Sequence, residues 1–170
     1  MDDIKEPKFI YSLGKNTIWC KNNCISGNKF YFIIFVFLSY TIPFITLLVI
    51  IFKIKDKSSS LSIFTIILLF ILYFIEIFST FRTGFTDPGI LPKQYTIKAP
   101  KKKIERKSII RGHLFNLKYC FNCDVFRPPR TSHCRKCDNC VQKFDHHSDW
   151  IGNCIGKRNY KYFIYYFFVL

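Results

Sequence analysis

Two long apolar runs constrain the fold of this chain more than any other feature. Residues 30–52 contain no charged side chain, and residues 61–81 carry only Glu76. As a helix, the first run would be about 35 Å long, enough to cross the hydrocarbon core of a bilayer. A buried core helix explains one such run, but two in tandem favour a membrane hairpin. The sequence therefore predicts an integral, multi-pass membrane protein with transmembrane helices at 30–52 and 61–81.

The distribution of charge predicts which side of the membrane the hairpin ends face. The chain carries a net charge of +15, and basic residues crowd the segment that follows the second run. Positive segments next to membrane spans tend to stay in the cytosol, which places that segment and the polar arm at residues 1–29 there. The lysines of the loop between the runs weaken this argument. The eight cysteines agree with this placement, because the reducing cytosol favours thiolates bound to metal over disulfides.

The end of the sequence resembles the beginning of another span. Residues 160–170 (YKYFIYYFFVL) are apolar and aromatic, but eleven residues cannot cross the hydrocarbon. They form either a short interfacial segment or the start of a third transmembrane helix in a truncated sequence, and we favour the second interpretation.

A dense cluster of cysteines and histidines precedes this last run. Two closed tetrahedral zinc sites need eight ligands, and the cluster offers nine, so one histidine is left for other chemistry. Pairs of cysteines with two residues between them are typical of zinc knuckles, because the turn that they enclose brings both sulfurs to one ion. The candidates are Cys120, Cys123, His133, Cys134, Cys137, Cys140, His146, His147 and Cys154.

Adjacent ligands in this cluster constrain how the ions are shared. Side chains of neighbouring residues point in different directions, so His133 and Cys134 should serve different ions, and the same reasoning separates His146 from His147. Spacing alone does not assign the remaining ligands. The segment has few apolar runs, so metal ligation should supply much of its folding energy, and the zinc sites should be structural.

One motif beside the cluster carries potential chemistry. Asp145, His146 and Ser148 place a carboxylate, an imidazole and a hydroxyl nucleophile within four residues. The same residue types occur in serine hydrolases, but triads there are separated in sequence, which makes an acyl hydrolase a minor alternative.

The pattern from Cys120 to Asn159 resembles the cysteine-rich domain of the DHHC protein S-acyltransferases (palmitoyltransferases). The similarity includes all metal-ligand spacings, the segment Arg127-Pro128-Pro129-Arg130, and the motif Asp145-His146-His147-Ser148. Asp87-Pro88-Gly89, after the second run, is similar to the DPG motif of this family.

The resemblance implies a fold and a domain plan. The fold is a transmembrane helical hairpin joined to a small, loop-rich, β-hairpin-containing domain with two zinc ions. Residues 82–112 would be the DPG turn and a basic linker, residues 113–159 the zinc domain, and residues 160–170 the start of a third membrane helix.

The resemblance also implies roles for individual residues. One zinc would be bound by Cys120, Cys123, His133 and Cys140, and the other by Cys134, Cys137, His147 and Cys154. His146 would activate the acyl-accepting residue 148, and Asp145 would orient the imidazole. An acyl-CoA such as palmitoyl-CoA would donate the fatty acyl group to cysteines of membrane-associated substrate proteins on the cytosolic side of Golgi or endoplasmic reticulum membranes.

The chain departs from the family pattern at the acyl-accepting position, where Ser148 replaces cysteine. A hydroxyl is a weaker nucleophile than a thiolate, so ordinary S-acyl transfer should be strongly impaired. Three interpretations stay open, namely an engineered substitution, a natural variant that works poorly or by direct transfer, and a catalytically inactive adaptor that binds client proteins. Basic zinc domains also bind nucleic acids, but the flanking membrane spans argue against that function.

Overall fold

The computed structural model describes residues 14–19, 24–54, 60–94, 106–110 and 112–169. Three α-helices are present in these ranges, α1 (Phe32–Ile54), α2 (Ser60–Phe85) and α3 (Tyr160–Val169). Helices α1 and α2 are long and apolar enough to cross a membrane, as the sequence predicted. Most of their side chains face outward instead of into a protein core, unlike the core helix of a soluble protein. The exposed apolar surface is therefore suited to contact with lipid.

Aromatic contacts hold the three helices together. The rings of Phe44 on α1 and Tyr73 on α2 stack with centroids 4.2 Å apart, and the Tyr73 hydroxyl lies 3.1 Å from that of Thr41. On the other side of α2, Arg82 donates a hydrogen bond of 2.9 Å to the Tyr162 hydroxyl of α3. Glu76, the single acidic residue of the second run, is buried against this helix packing.

Within the described residues, ten short strands form four antiparallel sheets outside the helices. Their orders are β1-β2, β3-β8-β7, β4-β5-β6 and β9-β10. The strands are β1 (Thr17–Trp19), β2 (Cys24–Ser26), β3 (Ile90–Leu91), β4 (Arg106–Ile110), β5 (His113–Cys120), β6 (Val125–Arg127), β7 (Ser132–Cys134), β8 (Asn139–Val141), β9 (His146–Ser148) and β10 (Asn153–Ile155).

Three consecutive hairpins, β5–β6, β7–β8 and β9–β10, form the cysteine-rich lobe. The turns of the first two are the knuckles, Cys120–Cys123 and Cys134–Cys137. Each knuckle is followed by an aspartate in the left-handed region, Asp124 with φ 55° and Asp138 with φ 52°. Aspartate tolerates this conformation better than most side chains, so the repeated Cys-x2-Cys-Asp sequence matches the geometry of the turn. The sequence prediction of a small β-hairpin domain is confirmed.

Two buried asparagines attach this lobe to the end of α2. The Asn153 side chain donates to the carbonyls of Gly84 and Ile25, at 2.9 and 3.2 Å. Asn159 donates to the Thr83 carbonyl at 3.0 Å. The last carbonyls of a helix have no partner within the helix, and these asparagines supply one from the lobe.

The predicted turn after α2 has a specific hydrogen-bonding arrangement. The Asp87 carboxylate accepts hydrogen bonds from the backbone N–H groups of Gly89 and Ile90, at 2.8 and 2.9 Å. Its second oxygen forms an ion pair with Arg158, just before α3. Asp87 therefore joins the segments that leave α2 and enter α3.

The structure shows strands in the arm and in the linker, where the sequence interpretation assigned no secondary structure. Strands β1 and β2 lie in the predicted polar arm, and β4 lies in the predicted linker. The arm packs on the lobe, because Ile25 is buried beside the second knuckle and Lys15 N–H donates to the Cys137 carbonyl at 2.8 Å. Cys20 and the lysine-rich part of the linker, residues 95–105, lie outside the described residues.

Candidate functional site

The first group of potential metal ligands, called site 1, combines one knuckle with the following hairpin. Cys120 and Cys123 lie in the β5–β6 turn, and His133 and Cys140 face each other across β7 and β8. The Nδ1 atom of His133 lies 3.6, 3.3 and 3.9 Å from the sulfurs of Cys120, Cys123 and Cys140, respectively. Four donor atoms that are distant in sequence thus converge on one point.

The second group, called site 2, repeats this construction one hairpin further along the chain. Cys134 and Cys137 lie in the β7–β8 turn, and His147 and Cys154 face each other across β9 and β10. His147 Nδ1 lies 3.7, 3.4 and 3.6 Å from the three sulfurs. The strands of the β7–β8 hairpin carry His133 and Cys140 of site 1, and its turn is the knuckle of site 2. The ligands of the two sites therefore interleave along the chain.

These donor sets fit zinc. Bond lengths of about 2.3 Å to sulfur and 2.0 Å to nitrogen give S–N edges of about 3.5 Å in a tetrahedron, close to the distances in both sites. Within each site the four donor atoms lie within 4.8 Å of one another. Three thiols and one imidazole, largely buried, are a typical donor set of a structural zinc site. The structure thus groups the eight predicted ligands as the resemblance implied.

The thiols within each site perturb one another's pKa. A hydrogen bond with the Cys140 thiol lowers the pKa of Cys123 to about 6, and the same bond raises the pKa of Cys140 far above its usual value. In site 2, hydrogen bonds with Cys137 and Cys154 hold the pKa of Cys134 far below normal, while that of Cys154 is strongly raised. Neighbouring thiolates repel each other, and a divalent cation between them would stabilise all three.

In the third hairpin, β9–β10, the potential metal ligand and the remaining histidine lie on opposite faces of β9. Successive side chains of a strand point to opposite faces. On β9, His147 faces site 2, so His146 and Ser148 share the other face. Across the hairpin they pair with Ile155 and Asn153, respectively. His146 is in neither group of potential ligands, which agrees with the surplus of one histidine in the sequence.

Two contacts hold the His146 imidazole. Its Nδ1 atom lies 2.8 Å from the Asp145 carboxylate, so this nitrogen donates its proton to Asp145 when the ring is neutral. The Phe163 ring of α3 lies edge-on to the imidazole, with centroids 5.1 Å apart. The imidazole is half-exposed, with Nε2 left for another partner.

Ser148 occupies a more enclosed position on the same face. Its side chain is buried, and Oγ accepts a hydrogen bond of 3.3 Å from the Ile151 N–H. The turn after β9 is closed by Gly152 N–H, which donates to the Ser148 carbonyl at 2.9 Å. Residue 148 is therefore fixed by the turn, next to a backbone N–H group.

Several residues around these sites were not assigned a role by the sequence analysis. Asn153 and Asn159 belong to the motif but gave no signal of their helix contacts, because their partners are backbone carbonyls far away in sequence. Phe163 gave no separate signal, because it belongs to the apolar run at residues 160–170. Asp138 and Asp149 each lie next to a ligand histidine, Asp138 Oδ1 at 3.7 Å from His133 and Asp149 Oδ1 at 3.6 Å from His147.

Comparison with known proteins places these features in a family context. Residues 113–170 match the family model described as DHHC palmitoyltransferase. The chain is 39% identical to palmitoyltransferase ZDHHC18 of Rattus norvegicus over 175 residues, which cover 92% of the chain and 44% of the relative. It is 33% identical to palmitoyltransferase ZDHHC9 of Bos taurus over 178 residues, covering 92% of the chain and 47% of the relative. The chain thus spans less than half the length of these relatives.

Proposed function

We propose that this chain, whose residues 113–170 match the DHHC palmitoyltransferase family model, is a membrane-bound protein S-acyltransferase. It would transfer a long-chain fatty acyl group, such as palmitoyl, from acyl-CoA to cysteines of membrane-associated substrate proteins. The observation that carries this proposal is the division of β9, with His147 facing the metal ligands and His146 and Ser148 on the other face.

In this proposal His146 is the general base. Its Nδ1 proton is directed to Asp145, so Nε2 is available to take the proton from the acyl-accepting group at position 148. Asp145 keeps the tautomer and stabilises the imidazolium that forms. Bound zinc would hold the hairpins together, and the catalytic proton transfer would be carried out by these side chains.

The first step would make an acyl-enzyme. Oxygen Oγ of Ser148 bonds to the acyl carbon, the bond to the CoA sulfur breaks, and His146 passes the proton to the leaving sulfur. In the second step the thiol of a substrate cysteine displaces Oγ, which takes the proton back. An oxyester is a poorer acyl donor to a thiol than a thioester, so Ser148 should slow both steps.

A basic cavity in the lobe supports acyl-CoA as the donor. The cavity has a volume of about 330 Å³ and lies between β5, β6 and the segment that follows β6. Lys118, Arg127 and Arg130 line it, and Arg127 Nε is buried without a hydrogen-bond partner among the described groups. Phosphate groups of a CoA are acceptors that such a site would bind.

The proposed setting follows from the helices and the charges. The apolar helices α1 and α2 support a membrane location, and we infer that the lobe faces the cytosol, in Golgi or endoplasmic reticulum membranes. At this surface the acyl chain can stay in the bilayer while the thioester reaches position 148.

The test is to restore the thiol. Ser148→Cys, purified in detergent and incubated with labelled palmitoyl-CoA, should gain label that neutral hydroxylamine removes, because a thiolate beside His146 is a far better nucleophile. His146→Ala in the same background should reduce the labelling rate about 100-fold or more, since general-base catalysis is lost. Absence of labelling in a folded, zinc-loaded Ser148→Cys protein would contradict the proposal.

Ser148 itself favours a second candidate, a zinc-dependent membrane adaptor that binds clients without acyl transfer. In that case the lobe would be a binding surface, and the His146 imidazole would have no chemical task. His146→Ala would leave client binding and cellular phenotype unchanged in the Ser148 protein, whereas the acyltransferase proposal requires a loss of phenotype.

A further inference from the structure

Both potential ligand histidines have the same orientation. Their Nδ1 atoms face the thiols, so Nε2 of each ring faces away from the metal-binding point. A metal-bound imidazole carries its proton on the other nitrogen, and a neighbouring anion fixes the ring and increases the basicity of the ligating atom. The surroundings of the two Nε2 atoms therefore affect how tightly each site holds an ion.

A carboxylate that is bound by a lysine lies beside each of the two rings. At site 1, one Asp138 oxygen lies 3.7 Å from His133 Nε2, and the other lies 2.5 Å from Lys93 Nζ. At site 2, the Asp149 oxygen that lies 3.6 Å from His147 Nε2 also accepts a hydrogen bond of 2.7 Å from Lys136 Nζ, and the other oxygen lies 2.5 Å from the same Nζ. Each lysine thus holds a carboxylate beside an imidazole.

The repetition does not follow from sequence spacing. Asp138 comes five residues after its histidine, whereas Asp149 comes two residues after its own, so the similar geometry arises from the folding of the hairpins. Asp138 also directly follows Cys137, a potential ligand of site 2, and its carboxylate faces site 1. The residue that follows the site 2 knuckle therefore lies beside the histidine of site 1.

On these observations, and on the proposed zinc sites, we propose that Asp138 and Asp149 are positioning residues that slow the release of metal. The carboxylates act on the Nε2 protons electrostatically, because 3.6–3.7 Å is longer than a direct hydrogen bond. Lys93 and Lys136 position the carboxylates.

The two arrangements differ in exposure, which predicts a difference in salt dependence. The side chain of Lys93 is only 8% exposed, whereas those of Lys136 and Asp149 are 55% and 59% exposed. Exposed ion pairs are weakened by screening, and buried ones much less so. Raising ionic strength should therefore speed metal release from site 2 more than from site 1.

The experiment measures release of zinc to excess EDTA from the purified protein in detergent micelles. The zinc content of the parent protein is determined first, and two ions per chain are expected. Asp149→Asn should accelerate release of one ion about tenfold, in line with the usual effect of removing such partners, and Asp138→Asn should accelerate release of the other by a similar factor. Asparagine tolerates the left-handed backbone of residue 138, so that change adds little strain.

A matched control is Asp145→Asn, the same change at a carboxylate whose histidine is not a potential ligand. Its release rates should stay within twofold of the parent. If the parent holds two zinc ions and both Asp138→Asn and Asp149→Asn stay within twofold, the positioning roles are wrong while the zinc proposal stands. A folded parent without zinc would contradict the zinc proposal itself.

Two further measurements distinguish positioning from general stability. In histidine-labelled protein, Asp149→Asn should shift the Nε2 nitrogen resonance of His147 and leave that of His133 unchanged, whereas a general loss of structure would move both. If Asp149→Asn does not fold, Lys136→Gln provides the test, because it frees the carboxylate without removing it. Lys136→Gln should speed release from site 2 at low salt, and unchanged release there would overturn the role of the lysine–aspartate pair.

Discussion

Sites 1 and 2 are built from the same parts but have different surroundings. At site 1, the buried thiols pack against Leu91 and Val125. Site 2 lies in a larger cluster that includes Ile25 of the arm, and its hairpin is attached to α2 by Asn153. Site 2 also shares β9 with His146 and Ser148. The same ligand pattern therefore has two structural settings: site 1 lies within the smaller cluster, and site 2 connects helix α2 with strand β9.

Because the ligands interleave, loss of site 2 should affect site 1 more than loss of site 1 affects site 2. The site 2 knuckle is the turn of the hairpin that carries His133 and Cys140, so loss of site 2 also disturbs site 1. Loss of the site 1 knuckle loosens the β5–β6 turn but leaves all four ligands of site 2 in place. We therefore expect damage to spread from site 2 to site 1 and much less in the other direction.

The largest expected effect comes from removing one ligand of each site. Cys154→Ala should lose both zinc ions and abolish acylation in the Ser148→Cys background, because a structural zinc site contributes on the order of 10 kcal/mol to folding. Cys123→Ala should retain one zinc ion and part of the acylation. Elemental analysis of the purified proteins gives the zinc content. Equal loss of zinc from both variants would show that the sites depend on each other symmetrically.

An intermediate effect is expected at the link between site 2 and α2. Asn153→Ala removes the donor to two buried carbonyls and the acceptor for the Cys154 N–H, and should lower the free energy of unfolding by about 3 kcal/mol. The free energy of unfolding is measured by denaturant titration in detergent, with tryptophan fluorescence as the signal.

The exposed Asn116 offers the control for this change. Asn116→Ala should alter the free energy of unfolding by less than about 0.5 kcal/mol, as for most surface substitutions. If Asn153→Ala were equally mild, the attachment of the lobe to α2 would depend on other contacts, and site 2 would be no better anchored than site 1.

Local features of this fold could be predicted from the sequence. The length and composition of α1 and α2 indicate membrane helices, and Cys-x2-Cys spacing indicates knuckles, because both depend on residues close together in the chain. The surplus of one histidine is also visible in the sequence. The distribution of the eight ligands over two sites required the family resemblance, since pairs such as His133 and Cys140 meet only when a hairpin closes.

Long-range polar contacts could not be predicted. Nothing near Asn153 indicates that it binds carbonyls of α2 and the arm, and nothing near Asp149 indicates that it lies beside His147. The arm illustrates the same limit, because its polar composition alone does not indicate a packed segment. Its apolar Ile25 and the close approach of Gly14 instead place it on the second knuckle.

The smallest expected effect comes from disturbing this contact between the arm and the knuckle of site 2. A Cβ atom on Gly14 would lie 2.4 Å from the Asp138 carbonyl oxygen and 2.5 Å from that of Cys137, and Gly14 has φ +65°. Gly14→Ala should therefore destabilise the protein by about 2 kcal/mol and make the arm more sensitive to limited proteolysis. Gly112→Ala is the control, because Gly112 has φ +79° with no atom within 4 Å of its added Cβ, so only the backbone cost of about 1 kcal/mol applies. If both variants were equally stable and equally resistant to protease, the arm would not brace site 2, and the anchoring of that site would depend on α2 alone.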